Sequence, residues 1–252
     1  MIVIHMVAEE LRRLLSRRRF WILAAVLSGI LVYQISVVSP GYANPPSASA
    51  AFIYTFKENL AGFCFFVTGL AVGDSFAIDR STSWATFTLT RGLTRRKYIA
   101  AKALGMAIAI CLLVIMSLTV AGVAAVCTRG LSPTVRREEL GMVNAADHTA
   151  YLAHPWWFAV KFAGVHLVAA AAYSTTAVLL AVWVPIPFVV SIVPPFIFLA
   201  AISSLPETAN SPLALLRLTA GGTVRSGFVF FLAWLVLVAT VAIIAYGKQE
   251  DA

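Results

Sequence analysis

Six long apolar runs within 252 residues leave little room for any fold other than a bundle of membrane-crossing helices. About 20 apolar residues are needed to cross the hydrocarbon core as a helix. The runs cover residues 20–38, 59–72, 99–126, 156–182, 188–203 and 228–246. The second and fifth are short. The second extends back through residues 50–56 where Lys57 and Glu58 pair or snorkel, and the fifth borders a Val-Pro-Ile-Pro turn at residues 184–187. A mean hydropathy of +0.88, with 60% hydrophobic and 12% charged residues, is far from the balance of a soluble domain. The expected fold is all-α: one polytopic membrane domain over residues 1–252, with six transmembrane helices.

Charge placement sets the expected orientation, because basic flanks are retained on the cytoplasmic side. Twelve of the nineteen basic residues fall at the N-terminus, between the second and third runs, or after the sixth. The other seven are spread over three segments and partly offset by Glu58, Glu138, Glu139, Asp147 and Glu207. Both termini are therefore expected in the cytoplasm and the chain in the plasma membrane. The first apolar run is longer than the core of a secretory signal, so it reads as an uncleaved span. Before it, Val7, Leu11, Leu14 and Leu15 recur at helical spacing, with Arg12, Arg13, Ser16, Arg17 and Arg19 on other faces. This predicts an amphipathic helix along the inner surface.

Two further segments carry local signals. Ser132-Pro133 opens a short helix expected to reach about Leu140. Leu213, Leu215, Leu216 and Leu218, between Pro212 and Gly221-Gly222, read as a short apolar helix that dips into the bilayer or caps the spans.

Several chemistries are excluded or lack a motif. The one Gly-Lys pair, Gly247-Lys248, is followed by Gln249, so there is no phosphate-cradling loop and ATP must be bound by another chain if it drives this one. The four histidines show no metal-ligand spacing, although Asp147, His148 and His154 lie close in sequence. There is no nucleophile elbow, and Cys64, Cys111 and Cys127 are isolated. No enzymatic constellation and no resident cofactor are expected. The net charge of +8 comes without a groove-reading motif, so membrane lipids rather than nucleic acid are its expected partners.

Polar groups inside apolar runs are functional candidates because burying them in lipid is costly. His166 and Tyr173 lie two turns apart on one face of the fourth run, and Gln34 lies in the first; these three are the candidates for a translocation path. Lys161 sits one turn inside Trp156 and Trp157 and reads as an interface anchor. Gly62, Gly69 and Gly73 share one face of the second run and predict close backbone packing.

The densest charge lies between the second and third runs. Asp79-Arg80 is followed by a Thr-rich patch with Trp84 and Phe87, then Leu89-Thr90-Arg91-Gly92-Leu93-Thr94-Arg95-Arg96, and later Lys102. Ser81 or Ser83 can cap a short helix that places Trp84 and Phe87 on one face, and Thr94 can cap the next helix. This stretch resembles the ABC type-2 permease family, the membrane subunits of two-component ATP-binding-cassette transporters. The family pattern of an acidic residue closing the second span, a short coupling helix, a Leu-Ser/Thr-x-Pro-Val/Leu-Ser/Thr-Arg stretch and a Lys early in the third span is matched by Asp79, the Trp84 and Phe87 segment, residues 89–95 and Lys102. Ser83-Trp84 stands where Gly-Thr is common, and Gly92 where Pro is common.

The resemblance implies a permease subunit, mostly found in exporters, that pairs with a second identical or homologous permease. It implies two cytoplasmic ATPase subunits carrying ATP and Mg, and a hydrophobic or amphipathic substrate such as a peptide, drug or lipid. Asp79, Trp84, Phe87 and Leu89 are the expected ATPase contacts through a coupling helix, with Arg91, Arg95 and Arg96 setting register or meeting anionic lipid. The alternatives are a self-sufficient channel or secondary carrier, and a membrane enzyme or assembly factor.

Overall fold

The computed structural model describes residues 2–37, 46–55, 61–82, 94–131, 135, 137–184, 186–204, 215–216 and 222–248, and no strand occurs among them. Helix α1 spans Ile2–Leu15, α2 Arg18–Val37, α3 Ala48–Thr55, α4 Ala61–Val72, α5 Ser75–Ser81 and α6 Arg95–Arg129. Two 3-10 turns, Arg137–Met142 and Ala145–Asp147, lead to α7, His148–Ala153. Then follow α8, Pro155–Trp183, α9, Pro187–Ser204, and α10, Val224–Lys248. Four of these helices, α2, α6, α8 and α10, are long and apolar enough to cross a membrane.

Local chemistry sets the helix ends. The Thr94 hydroxyl accepts from the Lys97 amide at 3.4 Å and opens α6, as its sequence predicts. Gly130, at φ +72°, closes it in a conformation that a side chain would resist. At 35 residues α6 is about 52 Å long, more than a hydrocarbon core of about 30 Å requires.

Helix α8 is the centre of the bundle: 72% of its apolar window is buried, against 17% for α10. It packs on α10, α6, α4 and α9, and the buried run Ala169, Ala170, Ala171 and Ala172 lets neighbours approach closely. The outward faces carry exposed Ile22, Val26, Ile115, Val123, Val236 and Leu237, a surface suited to hydrocarbon rather than water. Hydroxyls on these helices donate to carbonyls of their own helix. Ser28 bonds Ala24, Thr119 bonds Ile115 and Thr240 bonds Val236, all at 2.7–2.8 Å, so these three hydroxyls need no water.

The close packing expected of the glycines has its partner within the chain. Pro195, inside α9, has no N–H to offer the Ser191 carbonyl four residues back. Gly69 of α4 fills that place: a Cβ there would stand 2.8 Å from the Ser191 oxygen. Gly73 lies against the same residue, with a Cβ position 3.3 Å from its Cα. The surroundings of Gly62 lie outside the described residues.

Of the second run and its extension, α3 and α4 are described, and residues 56–60, with Lys57 and Glu58, lie outside the described residues. One sequence expectation changes: where a helix is expected to reach Leu140, residues Arg137–Met142 form a 3-10 turn, with Glu139 turned inward to accept from the Ser47 amide at 2.7 Å and hydroxyl at 2.9 Å. Of the Leu-rich segment before α10, Leu215 and Leu216 are described; both are buried against Val165, Ala169, Tyr173 and Phe231.

Candidate functional site

Three helices each contribute two polar groups, three or four residues apart, to one buried point at the end of the bundle where α6 begins. Helix α1 brings Glu10 and Arg13, α5 brings Ser75 and Asp79, and α6 brings Tyr98 and Lys102. These spacings put both members of each pair on one helix face. Lys102 Nζ bridges Glu10 and Asp79, standing 2.5 Å from the Asp79 carboxylate. Arg13 pairs with the other Asp79 oxygen and with Glu10 at 3.0 Å. The Tyr98 hydroxyl donates to Asp79 at 2.5 Å, and the Ser75 hydroxyl donates to Glu10 while accepting from Arg13 at 2.5 Å.

Exposure is 0% for Asp79, 4% for Lys102 and 6% for Glu10, so these are ions taken out of water. Each costs several kcal/mol to bury unless paired, and here two carboxylates meet two cations with no formal charge left over. Burial pushes the Asp79 carboxyl up, but Lys102 and Arg13 outweigh it and hold the group below its ordinary value. Burial pulls Arg13 down, and Glu10 with Asp79 more than reverses that. A cleft of about 140 Å³, lined by Met6, Glu9, Arg13, Tyr98 and Ala101 among others, opens onto the cluster between α1 and α6.

A second layer ties α2, α8 and α10 to the same point. Arg19 and Arg17 both pair with Asp74, the latter at 3.1 Å. Arg80 donates to the Ala181 carbonyl at 2.8 Å and to that of Val182, satisfying the end of α8 where a cation also suits the helix dipole. Phe76 stands edge-on to Tyr246 of α10 at 5.4 Å, Arg95 lies over the Tyr246 ring at 5.7 Å, and the Arg96 side chain packs on Gly247. Helix α5, seven residues long, thus contacts α1, α6, α8 and α10 through Ser75, Phe76, Asp79 and Arg80.

Several expected site residues find their places here. Asp79 is turned inward, at 0% exposure. Ser81 closes α5, its hydroxyl donating back to the Ile78 carbonyl at 3.0 Å. Trp84, Phe87, Leu89 and Arg91 lie outside the described residues, and so does the coupling helix expected to carry them. The segment 83–93 nevertheless has both its ends described: α5 leads into it, α6 leads out, and Asp79, Tyr98 and Lys102 join the two.

The three path candidates are not gathered together. His166 and Tyr173 are buried in α8, with His166 Nδ1 at 3.1 Å from the Phe162 carbonyl of its own helix. Gln34 is on α2, which packs on α6 and α4 and shares no extensive interface with α8.

Glu10, Arg13, Ser75 and Tyr98 were not singled out by the sequence. Glu10 had a legible signal, since it shares a helix face with Val7 and Leu14, both buried; an acid on the inward face of an amphipathic helix requires a basic partner. No protein-family model matches the chain, and neither does any curated protein.

Proposed function

We propose that the chain is the membrane-spanning permease subunit of an ATP-binding-cassette transporter, driven by a separate cytoplasmic ATPase and exporting a hydrophobic or amphipathic substrate. In this reading α2, α6, α8 and α10 are joined as spans by the pair α3–α4 and by α9, giving six, and the charged end faces the cytoplasm with both termini. Residues 83–93 are the handle on which the ATPase pushes, through Trp84 and Phe87.

The observation that carries the proposal is the tie across the two feet of that segment. Asp79 lies just before it, Tyr98 and Lys102 just after it; Asp79 is joined to both of these and to Arg13 of α1, and Lys102 to Glu10 of α1. A loop free to fold back on itself would absorb a push; one whose feet are cross-linked passes the displacement to α1, α6 and α8. Asp79 is then a positioning residue that acts through the clamp, and the apolar tip makes the contact.

Replacing Trp84 and Phe87 together by Ala is expected to abolish copurification of the ATPase or uncouple its hydrolysis, with the protein still inserted in the membrane. Unchanged complex formation and transport overturn the assignment. A self-sufficient carrier is the second reading, favoured by a cluster of ionisable groups buried at the end of a spanning helix. Transport that survives ATP depletion and collapses with the proton gradient selects it.

A further inference from the structure

At the end of the bundle opposite the charge cluster, α8 and α10 border a groove of about 580 Å³. Its walls are apolar and face outward: Trp157 is 59% exposed, Val229 60% and Phe228 43%. Its rim carries two cations, Lys161 one turn into α8 and Arg225 in the first turn of α10. Neither has an ion pair among the described residues; Lys161 rests on the Trp157 ring at 5.5 Å. Among the described residues the one acid at the rim is Asp147, which already accepts from the Val224 amide at 3.1 Å. The floor includes Gly164, where an added Cβ would meet nothing within 4 Å.

Unpaired cations beside exposed apolar side chains, at the ends of two membrane-length helices, match a molecule with an anionic head and a hydrocarbon tail. Water alone would satisfy the cations but not the rings, and an acyl chain alone would do the reverse. We propose that this groove binds an anionic phospholipid, its phosphate held by Lys161 and Arg225 and its first acyl carbons lying against Trp157, Phe228 and Val229. The assignment rests on the membrane character of α8 and α10 and not on the transporter reading, so either can fail without the other.

The test is native mass spectrometry of the full chain in detergent, titrated with phosphatidylglycerol, phosphatidylcholine or inorganic phosphate. Wild type is expected to prefer phosphatidylglycerol over phosphatidylcholine by about tenfold, and K161Q/R225Q to lose that preference. The exchange K161R/R225K keeps both charges and should keep the preference. Gly164→Leu fills the groove while leaving both cations in place, and should reduce binding of both lipids. A preference that persists in K161Q/R225Q, or binding untouched by Gly164→Leu, overturns the site. Inorganic phosphate that competes at the lipid's own concentration assigns it to a free anion, and a lipid-free dimer broken by Gly164→Leu assigns it to a second copy; either result also overturns the proposal.

Discussion

The two ends of the bundle use polar side chains in opposite ways. At the charged end the bonds link elements far apart in sequence, Glu10 with Lys102 across 92 residues and Arg13 with Asp79 across 66, and Glu10, Arg13, Asp79 and Lys102 each serve at least two partners. At the far end the bonds reach as far along the chain but fall into separate sets. Glu139 accepts from Ser47 ahead of α3, Asp147 accepts from the first amide of α10, and the Asn144 side chain donates to the Gly222 carbonyl at 3.2 Å. His148 Nε2 lies 3.0 Å from the Leu140 carbonyl and 2.9 Å from that of Val143, pinning the turn between them. The first arrangement fails as a unit, whereas the second fails one piece at a time. A network suits an end that must move as one body, and separate caps suit an end that only needs its chain reversals fixed.

The largest break in that comparison is expected from Lys102→Met, which leaves Glu10 and Asp79 buried with Arg13 as their one remaining cation. Stranding an ion in this way costs about 3–5 kcal/mol, read as a lowered unfolding midpoint of the detergent-solubilised protein. Asp79→Asn with Lys102→Met removes one charge of each sign and is expected to cost clearly less than the sum of the single changes. Simple additivity would show that the four ions do not act as a network.

This non-locality explains what the sequence left hidden. Apolar periodicity reads within one helix, so all six runs are found as helical, with ends such as Arg18–Val37 against an expected 20–38 and Pro155–Trp183 against 156–182. The inward face of α1 was readable for the same reason, and Asp79 and Lys102 were noticed as polar residues bordering apolar runs. Their meeting with Glu10 and Arg13 was not, because it depends on α1 docking across α5 and α6. The start of α3 escaped too: Ser47 begins it by accepting from the Ala50 amide at 3.3 Å, and the Glu139 that fixes Ser47 lies 92 residues on. Local capping chemistry was legible at Thr94, where the partner amide is three residues away.

At the far end the expected losses are smaller and independent. Glu139→Gln weakens the hold on Ser47, and Asp147→Asn weakens the cap on α10; each is expected to cost about 1 kcal/mol. The double variant should cost their sum to within about 0.5 kcal/mol, the scatter normal for sites without shared partners. A coupling well above that in the unfolding midpoints would mean that the far end is also a network, and the contrast with Lys102→Met would disappear.

The mildest probe is pH, which should loosen the two ends on opposite sides of neutrality. Asp79 titrates below its ordinary value in the folded protein, so the unfolded chain takes up its proton first as pH falls. Its contribution to stability is therefore complete above the ordinary carboxylate range and is lost as pH drops through the folded value. Tyr151 behaves in the reverse sense: burial pushes its hydroxyl up to about 12, with Glu139 adding to the shift. Its contribution is complete below the ordinary tyrosine value and is lost as pH rises through the folded one. Unfolding midpoints measured across pH should therefore fall on both limbs, with Asp79→Asn shrinking the acid-side fall and Tyr151→Phe shrinking the alkaline-side fall alone. Tyr151→Phe flattening both limbs would join the two ends into one titrating system, because a proton lost at the far end would then be felt at the clamp across the full length of α6.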